Sequence, residues 1–168
     1  MTFLLLMVTL NVMSEFPVGK MNVEVLVASS DAENRSVLVD ILGQSGAKSL
    51  VAGNVDEVQA ILAERSIDLV FCDERLPGGG FHYVLLLTKT IGGGVPLVLS
   101  SLSGELDCYL EAIELGVVDF IAPPFGAADV NSIIGRICQN CPSRLTEGGR
   151  PPHGGKPPKR TISVAYDC

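Results

Sequence analysis

A chain of 168 residues with 47% hydrophobic and 18% charged side chains is long enough to bury one compact core and too apolar to be mainly disordered. The formal charge of −7 is unevenly spread: residues 21–141 hold 16 acidic against 6 basic side chains, and residues 142–168 five basic against two acidic. So acidic a body excludes a non-specific grip on nucleic acid phosphates.

Residues 1–20 begin with an apolar run that has no basic n-region and no Ala-x-Ala cleavage site. The run is shorter than the roughly 20 apolar residues that a membrane span needs. Met21 stands immediately before the first strong strand pattern, so this leader reads either as an upstream start or as an amphipathic, membrane-associated lead segment.

From there short apolar runs alternate with segments of helical period. Val23 to Ala28 reads as a buried strand, followed by a helix over Ala32 to Gln44 with Val37, Leu38, Ile41 and Leu42 on one face. Ser30-Asp31-Ala32-Glu33 matches a Ser-x-x-Glu capping box, which predicts Ser30 as the cap of this helix. Lys48 to Ala52 reads as the second strand, and Asn54 caps a helix carrying Val55, Val58, Ile61 and Leu62. The third strand, Ile67 to Cys72, runs straight into Asp73. A turn at Leu76 to Gly80 leads to a helix over about 81–90, and Val95 to Ser100 is the fourth strand. Leu106, Tyr109, Leu110 and Ile113 follow at helical spacing, Val118 to Ala122 is the fifth strand, and Ala127 to Asn140 the last helix. Five such βα units predict a parallel sheet with helices on both faces. Beyond residue 141 the chain holds five of its ten prolines, which reads as a flexible basic tail over 142–168.

Five cysteines at irregular spacing do not suggest a disulfide framework, and a reducing, cytoplasmic compartment suits them. Cys138 and Cys141 have the spacing of half a zinc site, but they also continue the stripe Val130, Ile133, Ile134 and Ile137, which reads as a helix face. In an open parallel sheet, ligands sit beyond the carboxyl ends of the strands. Those ends carry Ser29, Ser30 and Asp31, then Asp73, then Ser100 and Ser101, then Pro123 and Pro124. A carboxylate directly after a buried strand is costly unless it faces a polar site, which singles out Asp73.

Asp68 to Gly78 (DLVFCDERLPG), Val95 to Ser101 (VPLVLSS) and Gly116 to Phe125 (GVVDFIAPPF) together resemble the receiver domain of two-component response regulators, over about residues 22–140. The resemblance implies a flavodoxin-like three-layer sandwich, with a five-stranded parallel sheet in the order 2-1-3-4-5. It also implies that Asp73 is the phosphoacceptor, that Ser101 or its neighbour Ser100 supplies the hydroxyl contacting the phosphoryl group, and that Phe120 is the switch aromatic. Its donor would be a sensor histidine kinase or a phosphotransfer protein. A protein partner would dock on the fourth helix, fifth strand and fifth helix, including Asp107, Glu111 and Glu114. No membrane is implied.

Several positions depart from the family. The acidic pair that holds Mg²⁺ aligns with Ser29 and Ser30, poor ligands for that ion, with Asp31 as a possible substitute acid one residue later. The lysine after the fifth strand is Pro123, and the Pro-Gly-x-x-Gly turn is one residue shorter. Pro123-Pro124 stands where the family's bond is usually cis, and a cis bond is expected here. These losses favour a degenerate receiver with a weak metal site or none, acting by protein contact and not as an enzyme. An active Mg²⁺-dependent receiver is the alternative. A flavin- or nucleotide-binding flavodoxin-like protein is a third reading, weakened because Gly78-Gly-Gly80 lacks the Lys-Ser/Thr of a P-loop. With too few residues after 141 for a helix-turn-helix domain, the chain reads as a stand-alone receiver or a piece of a longer gene.

Overall fold

The computed structural model describes residues 22–101 and 106–140. The leader and the tail lie outside the described residues, as do Cys141 and Cys168 and the side chains of Asp107, Cys108 and Cys138. In chain order the elements are β1 (Glu24–Ala28), α1 (Ala32–Gln44), β2 (Lys48–Ala52), α2 (Val55–Glu64), β3 (Leu69–Asp73), α3 (Gly80–Thr90), β4 (Leu97–Ser100), α4 (Leu106–Leu115), β5 (Asp119–Ile121) and α5 (Ala127–Asn140). The sheet is parallel throughout, in the order β2-β1-β3-β4-β5.

Alternation along the central strands divides the core in two. Leu26, Val70, Cys72, Leu97 and Leu99 face one layer, where Val58, Leu62, Phe81, Val84 and Ala112 from α2, α3 and α4 cover them. Val25, Val27, Leu69, Phe71 and Val98 face the other, under Leu38 and Leu42 of α1 and Val130, Ile133 and Ile134 of α5. Because both faces are covered, β1 and β3 read as unbroken apolar runs instead of alternating ones. Register pairs Ala28 with Cys72, Asp73 with Ser100, and Ser100 with Ile121, which brings the carboxyl ends of β1, β3, β4 and β5 to one edge.

The ladders are shorter than the apolar runs. Ile67 and Val95 are buried but precede β3 and β4, and Val23 likewise precedes β1, since burial begins before the first paired residue. β5 loses Val118 and Ala122, which are exposed at its two ends.

The first helix is capped one residue later than the Ser30 box predicts. Asp31 is the cap, its Oδ1 accepting the N–H groups of Glu33 at 2.8 Å and Asn34 at 3.1 Å. Ala32 is the first helical residue, so Asp31 occupies the cap position, where a carboxylate also meets the positive end of the helix. Capping of α2 by Asn54 is as expected, its Oδ1 accepting from Glu57 N at 2.9 Å, while Glu57 Oε2 accepts from Gly53 N at 2.7 Å.

Four apolar positions also differ from the periodicity reading. Val37 is exposed, and on α4 the spaced residues Tyr109, Leu110 and Ile113 all face outward, leaving the small Ala112 to make the buried contact. The turn after β3 depends on glycine: Gly78, Gly79 and Gly80 have φ of 100°, 148° and 62°. Its Pro77 carbonyl accepts the N–H of Val55 at 2.9 Å, which ties it to the start of α2.

Candidate functional site at the carboxyl edge of the sheet

Asp73 closes β3 and is half-buried. Burial pushes its carboxyl above the usual aspartate range; the hydroxyls of Ser29 and Ser100 oppose that shift, the charge of Asp31 adds to it, and that of Arg35 opposes it. Ser29 and Ser100 are themselves buried, Ser29 just past the end of β1 and Ser100 at the end of β4, the two strands that flank β3. Ser29 Oγ accepts the N–H of Asp31 at 3.1 Å and lies 3.2 Å from the Asp31 carbonyl oxygen. Next to Asp73, burial pushes the Cys72 thiol far up, which makes it an inert core group.

Of the other sequence-predicted residues, Ser101 is half-buried beside Ser100 and donates its hydroxyl to Glu74 Oε2 at 2.6 Å. Asp31 and Ser30 are both exposed; the charge of Asp31 reaches Asp73, and its Oδ1 is engaged by the helix cap. Phe120 packs against the α2–α3–α4 core layer, its ring centroid 4.2 Å from that of Tyr109 on α4. Pro123 is half-buried, and its bond to Pro124 is cis as expected.

Two residues that sequence reasoning did not assign complete the cleft. Arg35 reaches back from α1 to donate from Nη1 to the Ser29 carbonyl at 2.7 Å. It lies one helical turn after the cap residue Asp31, so the i, i+4 relation placed it on the same face. Glu74 follows Asp73, and its N–H continues the ladder to the Ser100 carbonyl at 3.0 Å. Its carboxylate, unlike that of Asp73, meets Ser101. Among the described residues, no group of three or more His, Cys, Asp or Glu side chains is placed to hold a metal ion.

A parallel sheet in this order, with an aspartate ending its central strand, is the architecture that the receiver resemblance implied, and residues 25–135 match the response regulator receiver domain. The chain belongs to that family. It is 28% identical over 116 residues to the response regulator protein FleR of Pseudomonas aeruginosa, a match covering 69% of this chain and 24% of FleR. It is 26% identical over 108 residues to the phosphate regulon transcriptional regulatory protein PhoB of the same organism, covering 63% of this chain and 47% of PhoB. The match thus spans less than half the length of either relative. The receiver domain of the P. aeruginosa sensor histidine kinase PA1611, solved with a magnesium ion coordinated in its active site cleft, superposes with a TM-score of 0.64 at 18% identity, covering 70% of this chain and 98% of that one. That likeness establishes the flavodoxin-like receiver fold. Among the described residues, no helix of this receiver is long and apolar enough to cross a membrane.

Proposed function

We propose that this receiver works in phosphorelay signal transduction with a degenerate Asp73 cleft, and that it acts mainly by protein–protein contact and not as an enzyme. The carrying observation is the company of Asp73: two neutral hydroxyls, Ser29 and Ser100, press on its carboxyl. Mg²⁺ prefers carboxylate oxygens in near-octahedral geometry. Ser29 and Ser30 offer none, Asp31 Oδ1 is engaged by the cap, and Pro123 brings no cation. This donor set does not fit Mg²⁺.

In this reading Asp73 stands at the phosphoacceptor position, Ser101 with Ser100 beside it supplies the hydroxyl that would meet a phosphoryl group, and Phe120 is the switch aromatic. Ser29, Ser30 and Pro123 are the degenerate acidic and lysine positions. A sensor histidine kinase or phosphotransfer protein would be the upstream partner, and the cytoplasm the compartment. The face built by α4, β5 and α5 supports a docking role: Tyr109, Leu110 and Ile113 on α4 and Val118 just before β5 are exposed, as are Glu111 and Glu114 of α4.

Incubation of the purified chain with acetyl phosphate, with and without Mg²⁺, followed by intact mass measurement, tests the reading. Little or no adduct is expected under either condition. A Mg²⁺-dependent phosphoryl adduct that disappears in Asp73→Asn would establish an active receiver instead.

A further inference from the structure

A serine hydroxyl has one proton to donate, and that of Ser101 goes to the Glu74 carboxylate at 2.6 Å. Backbone bonds hold both partners. Glu74 N–H donates to the Ser100 carbonyl at 3.0 Å, the Glu74 carbonyl accepts from Phe81 N–H at 3.3 Å, and Ser101 N–H donates to the Ile121 carbonyl at 3.2 Å. Asp73 and Ser100 are register partners, so the chain sets two carboxyls against two hydroxyls as adjacent rungs, Asp73 with Ser100 and Glu74 with Ser101.

We propose that Glu74 is a positioning residue that withholds the Ser101 hydroxyl from an oxyanion formed on Asp73, an inference that rests on reading Asp73 as the phosphoacceptor position. With an acyl phosphate as donor, a carboxylate oxygen of Asp73 attacks phosphorus. The bond from phosphorus to the acyl oxygen breaks, and acetate leaves with the electron pair; no proton moves. The new phosphoryl oxygens need donors beyond Ser29 and Ser100, which already act on the carboxyl, and the hydroxyl of the next rung, Ser101, already makes a short, charge-assisted bond to an anion. Glu74 therefore opposes the product by occupying the donor.

The test uses the full chain with acetyl phosphate, reading the adduct on Asp73 by intact mass at fixed time, with thermal melts to show that each variant folds. Glu74→Ala should raise the adduct about tenfold over wild type, and Glu74→Gln, which keeps an acceptor without the charge, about threefold. Adding Ser101→Ala to Glu74→Ala should cancel the rise, whereas adding Ser101→Thr, which retains a hydroxyl, should preserve it. A purely structural role for Glu74 would not make the rise depend on the Ser101 hydroxyl. Adduct in Glu74→Ala within about twofold of wild type, a rise that survives Ser101→Ala, or no adduct in any Glu74 variant would each overturn the inference. The last result would leave the degenerate reading standing. Ready Mg²⁺-dependent uptake by wild type would overturn the degenerate reading alone, and the Glu74 inference would then be decided by the ratio of rates.

Discussion

Asp73 and Ser100 are register partners at the carboxyl ends of β3 and β4, and the hydroxyl of one bears on the carboxyl of the other in a half-buried cleft. Burial outweighs that help and raises the carboxyl's affinity for its proton. The consequence for stability has a definite sign. The unfolded aspartate ionises near pH 3.9, below its folded counterpart, so stability falls as pH rises between the two values and stays at the lower level above them. Asp73→Asn has no ionised form to desolvate. It should melt about 2–4 °C above wild type at pH 7 and lose that advantage near pH 3, as read by calorimetry across pH. A lower melting temperature at pH 7 would refute the sign.

The cap of α1 separates two adjacent residues cleanly. Asp31→Ala removes the acceptor of two helix N–H groups and should cost about 1 kcal/mol in urea unfolding. Ser30→Ala, at an exposed side chain, should stay within about 0.5 kcal/mol of wild type. A loss in Ser30→Ala larger than that in Asp31→Ala would return the cap to Ser30.

Two glycines should respond oppositely to alanine. At Gly79, with φ of 148°, an added Cβ would lie 2.9 Å from Tyr83 Cβ, and Gly79→Ala should destabilise by about 2 kcal/mol. Gly43 lies within α1 with nothing within 4 Å of an added Cβ, and Gly43→Ala should stabilise by about 0.5–1 kcal/mol. Denaturant midpoints of both variants against wild type decide the point.

Outward and inward apolar residues make the third contrast. Leu26→Ala, in the fully buried centre of β1, should cost about 3 kcal/mol. Leu110→Glu, on the outward face of α4, should change stability by less than about 0.5 kcal/mol while weakening any partner that docks there. Unfolding titrations measure the first effect, and pull-down with the cognate kinase or target the second.

Much of the fold was legible because apolar runs and helical periods reported burial directly. The bounds of β2 match the pattern, and α1 and α5 run over about the stretches that the pattern outlined. Strand ends were less legible because Ile67 and Val95 are buried before their ladders begin. The α4 stripe misled because its periodic residues mark a surface, and the buried contact falls to an alanine. In the cleft, Asp73, Ser29 and Ser100 could be placed from strand ends alone. Arg35 and Glu74 could not, since their roles depend on how far a long side chain reaches to another element.

The cleft has two walls assembled on different length scales. One, where Arg35 bonds the Ser29 carbonyl, closes over six positions of chain, while the other, where Ser101 meets Glu74, joins residues 27 positions apart. The first can form as soon as β1 and α1 exist; the second requires β3, β4 and β5 to be in register. An emerging chain would therefore carry a half-built cleft until its last strand docks. Amide exchange should report the same asymmetry in the finished protein, with protection around Ser101 tracking assembly of the whole sheet.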